Sequence, residues 1–173
     1  MPYLPDWDKC LIEQRDLERG CIPTGYEWMI RVAGIEDVNL ETFQEDFNLE
    51  ARGEGENNFD SIAEAVERRY PSVRIRRKSF ETGEDKVRFI RDLVEKGVPC
   101  LLSLTLDPRG GWHIVPVIYA DDQKMELVLL VDGQGRRKIC EIPLDEVIRR
   151  HNDWPGGEDV AWLDQDRETT NAE

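Results

Sequence analysis

The sequence predicts an α+β domain in which amphipathic helices come first and a strand meander follows. Three observations carry that prediction. Up to about Lys96, apolar residues recur at helical spacing. From Val98 onward they fall in short, dense runs separated by turn residues, the pattern of strands. The chain has 173 residues, a length that suits one domain with a substantial core. The organisation read from these features is a single domain over residues 1–163 and an acidic tail over residues 164–173, expected to be disordered.

The elements follow in order. Residues 1–10, with Pro2, Pro5 and Trp7, read as an irregular arm laid on the body. Cys21-Ile22-Pro23-Thr24-Gly25-Tyr26 opens a helix with Tyr26, Met29, Ile30 and Ala33 at helical spacing, and Gly34 stops it. Pro23 suits an early helical position, where the missing N–H has no intrahelical partner. Asn39 is placed to cap a second helix running to about Leu49. A polar, Gly-rich loop covers Arg52 to Asn58. A third helix carries Ile62, Ala65, Val66 and Tyr70, and Pro71 ends it. Val73 and Ile75 alternate with basic residues as a short strand. A helix from Glu84 to Lys96 turns Val87, Ile90, Leu93 and Val94 inward. Strands are predicted over Val98 to Leu106, Trp112 to Tyr119, Met125 to Val131 and Arg137 to Ile142. Turns fall at Asp121 to Lys124 and at Asp132 to Gly135. A short helix from Pro143 to Arg150 and a last strand from Val160 to Leu163 complete the domain.

Composition narrows the function. Lys plus Arg number 23 and Asp plus Glu 37, a formal net charge of -14. So acidic a chain repels a phosphate backbone, which disfavours nucleic acid and favours basic or neutral partners. Arg74-Ile75-Arg76-Arg77-Lys78 is the one basic run, and its alternation reads as the outer face of an edge strand. No apolar run approaches the ~20 residues of a membrane span, and no signal peptide is read at the N-terminus. The expected location is therefore cytoplasmic, without membrane association. In that setting Cys10, Cys21, Cys100 and Cys140 are expected as free thiols. No metal site is supported, and no cofactor is expected.

Four residues stand out chemically. Cys21 heads a helix, where the peptide dipoles favour a thiolate, and the thiolate is the nucleophile. Taken alone, it reads equally well as packing. His113 follows Gly110-Gly111-Trp112 at a strand start, with open space beside it; His151, in a polar stretch, reads as a surface residue. Asp132 ends the apolar run Leu127 to Val131, as a turn residue or as a partner for the imidazole. The hairpin predicted between these strands sets His113 and Asp132 near one end. Asp132 would then orient the imidazole while His113 faces the thiol. Gln14 reads either as a solvated loop residue or as an amide donor that, with the Cys21 N–H, stabilises an oxyanion.

With those residues assembled, the chain resembles the papain-like cysteine peptidases, and within them the C39-like family that includes bacteriocin-processing domains. The resemblance rests on Gln14 ahead of Cys21-Ile22-Pro23-Thr24, on Lys96-Gly97-Val98-Pro99-Cys100-Leu101-Leu102, on Trp112-His113-Ile114-Val115-Pro116-Val117-Ile118-Tyr119, and on Val131-Asp132-Gly133. It covers roughly residues 10 to 163. It implies a papain-like fold, a Cys21–His113–Asp132 triad with Gln14 in the oxyanion hole, and a protein or peptide substrate. The chain departs from the family in having Ile22 where Gly usually follows the nucleophile, Gly133 where Pro is usual, and a longer step from Gln14 to Cys21. Two further readings use the same residues: deamidation or acyl transfer, and a catalytically inactive binding module on the same scaffold.

Overall fold

The computed structural model describes residues 3–105, 112–129, 138–153 and 160–164. It is an α+β fold built on one six-stranded sheet. The helices are α1 (Cys21–Ala33), α2 (Phe43–Asp46), α3 (Leu49–Arg52), α4 (Phe59–Arg69), α5 (Gly83–Glu95) and α6 (Leu144–Asp153). The strands are β1 (Ile75–Lys78), β2 (Cys100–Thr105), β3 (Trp112–Ala120), β4 (Lys124–Leu129), β5 (Lys138–Pro143) and β6 (Val160–Leu163). Their spatial order is β1-β6-β2-β3-β4-β5, with every pair antiparallel. The last strand thus inserts between the first strand and the meander.

Both faces of the sheet are covered. Leu101, Ile114, Ile118, Val128, Ala161 and Leu163 pack with α1, α2 and α4 on one face. Cys100, Leu102, Leu104, Val115, Val117, Leu127 and Val160 pack with α5 and α6 on the other. This explains the dense apolar runs: a strand covered on two faces needs apolar residues at every position, not alternate ones. Helix α1 lies close on the sheet because Gly25 has no side chain; a Cβ there would meet Leu101 Cδ1 at 2.7 Å. The N-terminal arm docks rather than floats. Leu4 is fully buried, and its N–H donates to the Ile118 carbonyl at 2.8 Å.

Most predicted elements lie where the pattern puts them. Helix α1 stops at Gly34, whose φ of 73° is left-handed, a conformation glycine adopts without Cβ strain. The Asp121 to Lys124 turn closes through the Asp121 N–H and the Lys124 carbonyl. The second turn, at Asp132 to Gly135, lies outside the described residues, as do residues 165–173 of the tail. Asp164 itself is tied to the sheet: its N–H donates to the Arg74 carbonyl at 2.9 Å and its carboxylate pairs with Arg76.

Two expectations are corrected. The helix predicted from Asn39 to about Leu49 is a single turn, α2, and a separate turn, α3, begins where it was to end. Asn39 bonds back to the Glu41 N–H, and Asn48 breaks the run by accepting from the Ala51 N–H as the cap of α3. His151 is a core residue, 2% exposed. It falls on the face of α6 that Leu144 and Val147 bury, a helical stripe that its polar sequence neighbours obscured.

Strand β1 is an edge strand, as the basic run suggested, and its outer edge is blunted. The Ile75 N–H donates to Glu67 at 2.9 Å and the Ile75 carbonyl accepts from the Arg77 guanidinium. Arg76 pairs with Asp164 and Arg77 with Asp60. Side chains thus occupy backbone groups that would otherwise recruit a further strand.

Burial of Cys100 has a thermodynamic consequence. The thiol is 0% exposed, and burial pushes its pKa up to about 12. Near pH 9 the unfolded chain releases this proton while the folded chain keeps it, so stability falls as pH rises from there toward 12. One such group contributes a slope of about 1.4 kcal/mol per pH unit. Urea unfolding at several alkaline pH values should show a loss shallower by about that amount in Cys100→Ala than in the natural chain. Parallel slopes would show that this thiol does not set the alkaline limit.

Candidate active site

Cys21 is the first residue of α1, behind Gly20 as the cap. Gly20 is required by close backbone approach. Its N–H donates to the Asp16 carbonyl at 2.9 Å, and a Cβ would meet that oxygen at 2.7 Å. The Gly20 carbonyl receives the Thr24 N–H at 3.0 Å, and the Thr24 hydroxyl lies 2.6 Å from the same oxygen. The turn into the helix is therefore held on both sides of the thiol.

The Cys21 thiol is partly buried. Burial is the largest influence on it and pushes its pKa up; the backbone N–H groups of Ile114, Cys21 and Ile22 pull it down, and Glu50 adds a smaller upward push. The expected helix-terminus field is present in the Cys21 and Ile22 amides, but burial outweighs it. The net shift is upward, toward the thiol form. The Ile114 amide is the nitrogen of the peptide bond that joins Ile114 to His113. The backbone of β3 thus brings the His113–Ile114 link near the sulfur; in the β2–β3 ladder Ile114 pairs with Ser103, and His113 pairs with Leu104, a residue of the α5–α6 face. The imidazole lies outside the described part of the residue, and Asp132 lies outside the described residues. The ladder supports the shared end of the hairpin only this far: Val117 pairs with Leu127, so β4 runs toward the end where β3 begins, and its described part stops at Leu129.

Gln14 is not a solvated loop residue. It is 5% exposed, its Nε2 donates to the Asp16 carbonyl at 2.8 Å, and its Oε1 is buried with no hydrogen-bond partner among the described residues. The Asp16 carbonyl thus receives both the Gln14 amide and the Gly20 N–H, which sets Gln14 beside the turn that leads into Cys21.

What holds this approach was not legible as a motif. Gln44, 4% exposed, accepts from the Arg15 N–H at 3.0 Å and donates to the Glu13 carbonyl at 2.8 Å. It grips the backbone on either side of Gln14. Its second N–H reaches Glu27 Oε1 at 3.1 Å, and its oxygen lies 2.9 Å from the Thr24 hydroxyl. Glu27, 1% exposed, pairs with Arg31 at 2.7 Å. A second clamp uses Asn48, whose Nδ2 donates to Asp16 at 2.8 Å. Asn57 donates to the Arg19 carbonyl and to Asn48, tying the Gly-rich loop to the same turn. Burial pushes the Asp16 carboxyl up, but Asn48 and the N–H groups of Arg19 and Glu18 outweigh it and hold it below its ordinary value. A cavity of about 410 Å3 lies between this turn and α2–α3, lined by Arg15, Asp16, Gly20, Gln44, Asn48 and Arg52 among others.

The four cysteines are free thiols. Among the described residues no group of three or more His, Cys, Asp or Glu side chains is placed to hold a metal ion. No described helix is long and apolar enough to cross a membrane. No protein-family model matches the chain, and comparison with curated proteins returns no match.

The Gln44 clamp yields a stability prediction. Gln44→Ala removes the partners of the Glu13 carbonyl, the Arg15 N–H and buried Glu27 together. Polar groups left buried and unpaired are costly, so the folded state should lose about 2 to 4 kcal/mol in urea unfolding. The exposed neighbour change Glu45→Gln should stay within about 0.5 kcal/mol. Equal, small effects would show that the clamp does not hold the turn.

Proposed function

We propose that the chain is a thiol hydrolase of the papain-like, C39-like kind, acting on a peptide or amide bond of a protein or peptide substrate. The observation that carries this reading is the Cys21 thiol at the head of α1, set against the peptide bond between His113 and Ile114. His113 is bonded to that link, which makes it the base that this reading assigns to the nucleophile.

In this reading His113 removes the Cys21 proton, and the thiolate adds to the carbonyl carbon. The negative charge on the carbonyl oxygen is stabilised by the Cys21 N–H and the Gln14 amide. Asp132 orients the imidazole and stabilises the imidazolium. The imidazolium then protonates the departing amine, leaving a thioester on Cys21. His113 next takes a proton from water as its oxygen attacks the thioester, and the thiol leaves with that proton. A raised thiol pKa suits a mechanism in which the base acts during attack, rather than one with a standing thiolate. The same observation also favours a second reading, an inactive binding module, in which Cys21 is an inert buried thiol.

The pH profile of Cys21 alkylation separates the two. In the natural chain, iodoacetamide should label Cys21 faster at neutral pH than its burial alone allows. In His113→Ala the labelling should retreat to a single ionisation above about pH 9, the range of an unassisted thiol. Cys21→Ala should abolish both the labelling and the release of products from a peptide library. Superimposable alkaline profiles for the natural chain and His113→Ala, with no peptide products, would sink the hydrolase reading.

A further inference from the structure

A groove of about 570 Å3 runs between the end of β1 and the outer side of α5, lined by Lys78, Phe80, Glu81, Asp85, Phe89 and Asp92 among others. Its floor is aromatic. The Phe80 and Phe89 centroids are 5.3 Å apart, and Trp162 of β6 meets Phe89 edge-on at 4.8 Å. All three rings are only half-buried. The Lys78 ammonium lies over both phenyl rings, 5.3 Å from Phe80 and 5.2 Å from Phe89. The groove therefore already accommodates a primary ammonium on a four-carbon stem, held by the electron-rich ring faces.

The charges favour a further cation. The lining carries three carboxylates, Glu81, Asp85 and Asp92, against two cations, Lys78 and Arg88. Asp85 pairs with Arg88 and Asp92 with Lys96, so with Lys78 swung into solvent the groove is short of one positive charge, at Glu81. The chain as a whole carries a net charge of -14, which steers basic partners toward it. Addition of a partner strand is disfavoured nearby, because Glu67 and Arg77 occupy the Ile75 backbone groups.

We infer that this groove binds a lysine side chain presented by a partner polypeptide, and that Lys78 is an internal competitor for it. The proposal is independent of Cys21 and of any hydrolase activity.

The test is an NMR titration of the full chain with N-acetyl-lysine methylamide and, as control, the norleucine analogue. The lysine probe should shift the Trp162 indole N–H and the Phe89 amide, and the norleucine probe should leave them in place. Lys78→Gln, an exposed change, should tighten binding about two- to fivefold, the worth of a surface cation–π contact. Phe89→Leu should weaken it at least as much. Equal shifts from norleucine would reduce the groove to an apolar dent and overturn the proposal. So would an affinity unchanged by Lys78→Gln, or lysine-induced shifts spread over the acidic surface without Phe89 and Trp162.

Discussion

The position of the candidate nucleophile depends on one buried amide. Gln44 uses both hydrogens and its oxygen at once, on Glu13, Glu27, Arg15 and Thr24. An amide side chain has two donors and one acceptor oxygen; both donors and the Arg15 bond are engaged, while the single Thr24 hydroxyl hydrogen is shared between the Gln44 oxygen and the Gly20 carbonyl. Satisfied in this way, burial of a polar group costs little and fixes a unique arrangement; half-satisfied, it would favour unfolding. The arrangement it fixes is the approach to α1. Gln14 cannot turn out to solvent while the residues on both sides of it are held, and the turn through Gly20 cannot rotate while Thr24 is held. Glu27 is buried with its charge, and its partners are Gln44 and Arg31, so the same node also resolves the cost of an anion inside α1.

The sheet supplies the other half of the geometry. Strands β2 and β3 are buried on both faces, which removes freedom of register: a slip of one residue would exchange the α1 side for the α5 side. Gly25 lets α1 approach that fixed surface closely, and the approach puts the Cys21 sulfur against the Ile114 amide. The contact between a residue near the start of the chain and one at the head of β3 therefore follows from packing constraints on either side of it, and the Ile114 N–H completes it.

These two constraints differ in how far they could be read ahead. The dense apolar runs of β2, β3 and β6 and the stripes of α1, α4 and α5 are periodic, so the α+β class and most element limits were legible. The order of strands was not, because insertion of β6 beside β1 is decided by how helices cover both faces. His151 was misplaced for a related reason: its immediate neighbours are polar, and only the stripe with Leu144 and Val147 shows that it turns inward. Cys21 was legible through its helix start and Gln14 through its place ahead of it. Gln44 was not, since a glutamine between Phe43 and Phe47 reads as an exposed position on an amphipathic turn. Its role exists only once three segments meet. At Cys21 the helix-start N–H groups act as expected, but burial, which no helix position reveals, outweighs them and raises the thiol pKa.

Burial of the thiol bears on what chemistry this arrangement could support. A thiol at a helix terminus in water would stand largely as a thiolate and react with any electrophile it met. Withdrawn from water, the same group is shifted toward the protonated form, and the amides of Cys21, Ile22 and Ile114 then act on a weak acceptor. Their dipoles then gain most when negative charge appears between them, on sulfur or on an adjacent carbonyl oxygen. That is the condition under which fixed donors stabilise a transition state more than a ground state. It also means that the charge must be created by proton removal within the site, so reactivity would depend on a base close to the sulfur. In the proposed reading that base is His113, the residue bonded to Ile114 through the amide that acts on the thiol.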